Sequence, residues 1–267
     1  MQLSSPSDIK NLLKKHGIWA KKSLGQHFLI DEDILEKIVE ASNLTKDDTV
    51  LEIGPGLGVL TKELAKRVKK VIAVEIDAEI VKILKESLGN AKNVDVIQGD
   101  ILKTPISYNN EIELKSYKIV ANIPYQITAP LLEKFLADEK NKPKEMILLV
   151  QKEVAQKICS KPNFENRLSL FVKLYGTPKI VFFVSKNSFW PMPEVDSAVI
   201  KIETSRKPKV KNPKLLLSLV KRGFSQKRKQ LKNIFGEEIL KNAGIEPTKR
   251  AEKLTLEDWQ LLAEKFS

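Results

Sequence analysis

Hydrophobic and polar positions alternate along this chain in two distinct rhythms. A short basic amphipathic pattern over residues 7–16 predicts a helix, and residues 33–41 predict another, with Ile34, Leu35, Ile38 and Val39 on one face. Short apolar runs then predict strands at 49–53, 70–75, 94–98, 119–122 and 145–150, separated by helical patterns at 57–68, 78–88 and 129–137. Further strands are expected near 168–174, 179–184 and 197–203, closing a sheet of about seven strands. Residues 206–213, charged and carrying two prolines, read as a linker. Beyond it, helical patterns at 214–224, 228–235, 237–243 and 255–265 predict a small helical domain. The expected organisation is an α/β domain over 1–205 and an all-helical domain over 206–267.

The first strand runs into Gly54-Pro-Gly-Leu-Gly58, a helix follows, and the second strand ends on Glu75. Strand, glycine turn, helix, strand and acid, in that order, describe a nucleotide-binding βαβ unit. Glycines let a ligand approach the helix N-terminus closely, and an acid about 20 residues on can grip a ribose diol. The spacing is G-x-G-x-G rather than the dinucleotide G-x-G-x-x-G, and Glu52 stands two residues before Gly54. A carboxylate there suits a cationic, amine-bearing ligand better than a pyrophosphate, which favours S-adenosyl-L-methionine over a nicotinamide cofactor. Asp100, just past the third strand, can accept a hydrogen bond from an adenine amino group.

Asn122-Ile-Pro-Tyr125 ends the fourth predicted strand. Pro124 fixes its own φ and pushes Ile123 into extended geometry, so the Asn122 amide and the Ile123 carbonyl can be held side by side. Two acceptor oxygens beside an aromatic ring suit a flat heterocycle with an exocyclic amino group. A proline-stiffened loop, Phe189-Trp-Pro-Met-Pro-Glu-Val-Asp-Ser197, offers a second aromatic wall.

Composition narrows the partners. No apolar run approaches the ~18 residues of a membrane span, and the first residues have no signal-peptide core, so a cytoplasmic protein without membrane contact is expected. Cys159 is the single cysteine and His16 and His27 the only histidines, which argues against a disulfide framework and against a metal site. Of the net charge of +12, residues 205–250 carry 14 Lys and Arg against 3 acids. Arg222, Lys227, Arg228 and Lys229 sit in that block, the electrostatic footprint of a polyanion partner.

Assembled, these motifs resemble the KsgA/RsmA family of ribosomal RNA small-subunit adenine N6,N6-dimethyltransferases over almost the whole chain. Leu24-Gly-Gln-His-Phe-Leu29 is similar to the family's cofactor-closing arm, although Asn is common where His27 stands. Leu51–Thr61 resembles the glycine motif, Glu75 the ribose acid, Gly99-Asp100 the adenine-contacting turn and Asn122–Tyr125 the catalytic N-[LI]-P-Y. The basic helix and Arg250–Trp259 resemble the C-terminal domain, with Gly223 where Ala is usual. The resemblance implies a class I (Rossmann-like) methyltransferase sheet, S-adenosyl-L-methionine as cofactor, no metal, and a monomer working on a 30S assembly intermediate. It implies cofactor contacts from Gln26, His27, Leu29, Gly54, Gly56, Glu75, Ile76, Asp100, Ile101 and Asn122. Asn122, Ile123, Pro124, Tyr125 and Phe189 would hold the acceptor adenine. Erythromycin-resistance methylases of the large-subunit RNA share the core motifs. A non-catalytic assembly factor on the same fold is the other alternative.

Overall fold

The structure is a computed structural model that describes residues 5–103, 116–138, 142–205, 207–226 and 228–266. The chain opens with α1 (Pro6–Lys15), a short strand β1 (Phe28–Leu29) and α2 (Glu32–Ala41). Strands and helices then alternate: β2 (Thr49–Ile53), α3 (Val59–Ala65), β3 (Lys70–Glu75), α4 (Ala78–Leu88), β4 (Val94–Gln98), β5 (Lys118–Asn122), α5 (Thr128–Glu133), β6 (Glu145–Gln151). After them come α6 (Lys152–Ile158), α7 (Arg167–Tyr175), β7 (Gly176–Val184), β8 (Phe189–Trp190) and β9 (Ser197–Thr204). Among the described residues that follow are α8 (Pro213–Ser225), α9 (Lys232–Phe235), α10 (Glu237–Asn242) and α11 (Leu256–Glu264). Among the described residues, no helix is long and apolar enough to cross a membrane.

Seven strands form one sheet in the order β4-β3-β2-β5-β6-β9-β7. The first five pair in parallel and β9 is antiparallel to β6. Buried strands of a parallel sheet carry apolar residues on both faces. Val50, Val71, Val120 and Ile147 accordingly meet Leu35, Ile38 and Leu64 from the helices in one core. At the start of the strands Lys118 is buried, its ammonium bonded to the carbonyls of Ser42 (3.0 Å) and Asn43 (2.8 Å) and paired with Asp48 and Glu145. Lys201 reaches the other oxygen of Glu145 at 2.6 Å. Buried charges survive only when matched in this way.

The chain divides into two compact units, residues 1–155 with 179–204 and residues 156–178 with 205–267. The second unit is larger than the expected helical domain over 206–267, because residues 168–174 are not a strand. They belong to α7, which packs with α8 and α11. A short apolar run cannot separate helix from strand by periodicity alone; here the cap decides. The Asn166 side chain accepts from the amides of Leu168 and Ser169, and the Ser169 hydroxyl accepts from the Asn166 amide, a closed capping box. The helix expected from 228 begins only at Lys232.

Gly223 lies inside α8, where glycine weakens a helix by about 1 kcal/mol relative to alanine. A Cβ added there would stand 2.4 Å from Cη2 of Trp259, a fully buried ring. Overpacking a rigid core costs about 1–3 kcal/mol, more than the helix would gain. Gly223→Ala is therefore expected to lower stability by about 1 kcal/mol and the melting temperature by a few degrees, measured by thermal and denaturant unfolding.

Candidate active site

The sheet reverses its winding between β2 and β5. In open α/β sheets a crevice opens there, beyond the carboxyl ends of the strands. A cavity of about 280 Å³ occupies that place, walled by the ends of β2, β3, β4 and β5 and roofed by Ser23–Leu29. Gln26, His27, Leu29, Gly54, Gly56, Glu75, Ile76, Asp100, Ile101 and Asn122 all line it, with Ile123, Pro124 and Tyr125. Phe189 does not line it. Its side chain is 3% exposed and packs in the sheet core, where β8 pairs with β1 and sets Phe189 opposite Leu29. The structure thus places the ring expected as an aromatic wall among core residues instead.

Gly54 and Gly56 have φ of 66° and 56°, left-handed values that side chains resist. The turn they make brings the Gly56 amide to Oε2 of Glu75 at 3.2 Å, while Oε1 accepts from the Asp77 amide at 3.0 Å. Glu75 is thereby oriented before any ligand arrives. Burial raises its pKa, and the two amides oppose that rise. Gly58 serves packing: a Cβ there would meet Leu84 of α4 at 2.6 Å. The G-x-G-x-G spacing thus combines a ligand turn with a helix contact.

Glu52 is the least satisfied group of the cleft. It is 1% exposed, lines the cavity, and its Oε2 has no hydrogen-bond partner among the described residues. Burial, reinforced by the charge of Glu75, pushes its pKa from 4.5 up to about 8. The nearby Thr61 hydroxyl, itself without a regular hydrogen bond, offsets only part of this. A buried, unpartnered carboxyl beside a second acid favours a cationic ligand. The donor set therefore fits the amine-bearing S-adenosyl-L-methionine implied by the sequence resemblance. Exposed Ile76 and buried Ile101 supply the apolar surfaces an adenine ring needs.

The acceptor end is held through the arm. Asn122 Nδ2 donates to the His27 carbonyl at 3.1 Å. A carbonyl can only accept, so this bond fixes which way the amide faces and leaves Oδ1 available as an acceptor. Tyr125 is anchored by its hydroxyl to Ser197 Oγ at 2.6 Å, and His27 stacks beside its ring at 5.9 Å. The His27 Nδ1 donates to the Pro191 carbonyl at 2.6 Å. Sequence reasoning missed the clasp that secures the arm: Gln26 Nε2 donates to Asp77 Oδ2 at 3.0 Å, and Lys21 Nζ bridges Asp77 and Glu79. The legible signal was Asp77 itself, an N-cap acid immediately before α4.

Of the basic residues expected to meet a polyanion, Arg222, Arg228 and Lys229 are exposed. Arg222 is partly spent inside its own unit, donating to the Ile234 carbonyl at 2.6 Å with its guanidinium over the Phe235 ring. Lys227 lies outside the described residues.

A family model described as "Ribosomal RNA adenine dimethylase" matches residues 18–267. The chain is 40% identical to a ribosomal RNA small subunit methyltransferase A of Clostridium botulinum, over 96% of this chain and 97% of that one. It is also 40% identical to the protein of the same name from Dehalococcoides mccartyi, over 99% and 95%. Among solved structures, a dimethyladenosine transferase from Plasmodium falciparum superposes with a TM-score of 0.78 at 29% identity, covering 88% of this chain and 96% of that one. The 23S rRNA methyltransferase ErmE does so with 0.71 at 26% identity, covering 89% and 98%.

The buried carboxyl gives a pH prediction. Folded Glu52 keeps a proton that the unfolded chain releases above 4.5, so stability falls as pH climbs toward about 8 and levels off beyond. The slope can reach about 1.4 kcal/mol per pH unit. Glu52→Gln, which keeps the shape and removes the titration, should be progressively more stable than the parent from pH 6 to pH 8. Denaturant unfolding at each pH measures the difference; parallel curves would mean that Glu52 does not titrate in this range.

Proposed function

The chain belongs to the ribosomal RNA adenine dimethylase family, and from that premise we propose that it dimethylates N6 of two adjacent adenines in the 3′-terminal hairpin loop of 16S rRNA. Its cofactor is S-adenosyl-L-methionine, which supplies an already activated methyl group when bound. The substrate is small-subunit rRNA within a 30S assembly intermediate, and the protein acts as a cytoplasmic monomer. Identity of 40% to proteins named for the small subunit, against 26% to ErmE, supports the small-subunit assignment over the 23S alternative.

The observation that carries this reading is the oriented Asn122 amide. Adenine N6 is a poor nucleophile because its lone pair is delocalised into the ring. Acceptors at Asn122 Oδ1 and the Ile123 carbonyl would draw the two amino hydrogens out of the ring plane and return electron density to nitrogen. The base must leave its stack to reach them, and Tyr125 is the aromatic face beside these acceptors. Glu75 would take the ribose hydroxyls and Asp100 the cofactor adenine, while Glu52 balances the cationic methionine end. Catalysis is then positioning and preorganised dipoles, with no strong base required. The arm, pinned through Gln26 and His27, excludes water from the reacting atoms.

Two experiments test the reading. Asn122→Ala should leave retention on small subunits intact and lower single-turnover methyl transfer by about 10²-fold, the scale of deleting one preorganised polar group. Near-normal transfer would show that Ile123 and Tyr125 position the base unaided. Separately, Arg228→Glu with Lys229→Glu should weaken subunit binding and reduce its salt slope by about 2, one for each phosphate no longer neutralised. Cofactor affinity, measured by calorimetry, should not change; an unaltered salt slope would make these lysine and arginine side chains mere solvated surface.

A further inference from the structure

We propose that Trp19 is a stacking platform for a single-stranded nucleotide of the RNA substrate, a few nucleotides from the base that enters the cleft. This rests on the rRNA reading above and adds a contact to it. Trp19 is 71% exposed, the most exposed large apolar side chain among the described residues.

Its backbone is nonetheless fixed from both sides. Gly17, at φ 68°, reverses the chain after α1, with its amide on the Lys14 carbonyl and that of Ile18 on the Leu13 carbonyl, each at 3.0 Å. Ile18 is then buried against α1 and α4. Two residues after Trp19, the Lys21 amide donates to Gln26 Oε1 at 2.7 Å, and its ammonium holds Asp77 and Glu79. An indole presented on a pinned strap loses little conformational entropy when a partner covers it.

The surroundings choose the partner. Lys10 and Lys14 are exposed on α1, where Asp8 is the only acid, while Lys15 pairs with Glu86 of α4 at 3.3 Å; the surplus of positive charge on α1 favours a polyanion. A lipid surface would need a free apolar helix face, but Ile9, Leu12 and Leu13 of α1 are already buried. A second copy would bring the same lysines against one another. Bases of a single strand stack on aromatic side chains whatever their sequence. The strap continues directly into Ser23, which lines the cleft. Four residues span at most about 14 Å, which keeps the platform close to the cleft wall.

The test uses the full chain as the parent, Trp19→Ala and Trp19→Phe, titrated at fixed salt with a short single-stranded oligoadenylate and with duplex RNA of equal length. In a Trp190→Phe background, which removes the half-buried third tryptophan, emission should be quenched by the single strand, and Trp19→Phe should then lose most of that quenching, because Trp259 is fully buried. Affinity for the single strand should fall about tenfold in Trp19→Ala and less than about threefold in Trp19→Phe, with the salt slope unchanged. Unchanged affinity in Trp19→Ala, an equal loss in Trp19→Phe, or an equal loss on duplex overturns the proposal. So does a Trp19→Ala effect confined to concentration-dependent self-association. Failure of the rRNA reading would register elsewhere, as absence of methyl transfer from S-adenosyl-L-methionine to rRNA by the parent itself.

Discussion

A parallel sheet wound in two directions must leave a gap where its helices part company, and that constraint organises everything chemical in this chain. Between β2 and β5 the connecting helices depart in different directions, so the residues following four neighbouring strands converge without covering each other. Glu52, Glu75, Asp100 and Asn122 come from four separate segments, yet each needs only its strand to end in register with the next. Rigidity of the paired strands is what makes a site assembled from distant segments reproducible.

The two ends of the sheet handle charge in opposite ways. Where the strands begin, Lys118 and Lys201 are matched by Asp48, Glu145 and the carbonyls at the end of α2. Where the strands finish, Glu52 lacks a partner and stands beside a second buried acid. A carboxyl there holds its proton when no ligand is bound, and a cation entering the cleft favours its ionised form. Stability is concentrated at one end and binding potential at the other, a division that parallel strands make possible by pointing the same way.

Much of this was legible in the residues. The alternation of apolar runs gave the order of strands and helices, and the glycines, Glu75, Asp100 and Asn122 announced the cleft by their places at strand ends. What escaped depended on competition between distant groups. The run from Leu168 to Tyr175 satisfies both periodicities, and only the Asn166 capping box selects the helix. Phe189 carries no mark in sequence that separates a wall of the cleft from a core residue; pairing opposite Leu29 decides it. Arg222 looks like every other basic residue in its block until the Ile234 carbonyl and the Phe235 ring claim its guanidinium. Gly223, an apparent departure from the family pattern, is accounted for by the Trp259 ring lying where a methyl group would go.

The bond from Asn122 to the arm ends on a main-chain carbonyl, not on a side chain. Every residue type carries that oxygen. A substitution at position 27 would therefore leave in place the oxygen that orients the amide, provided the arm keeps its path. That path is secured one residue earlier, by Gln26 on Asp77, and one later, by Phe28 opposite Trp190. A change of side chain at His27 would fall instead on the local partners of the ring, Tyr125 and the Pro191 carbonyl. The orientation of the Asn122 amide thus depends on the course of the backbone at position 27 and not on its side chain.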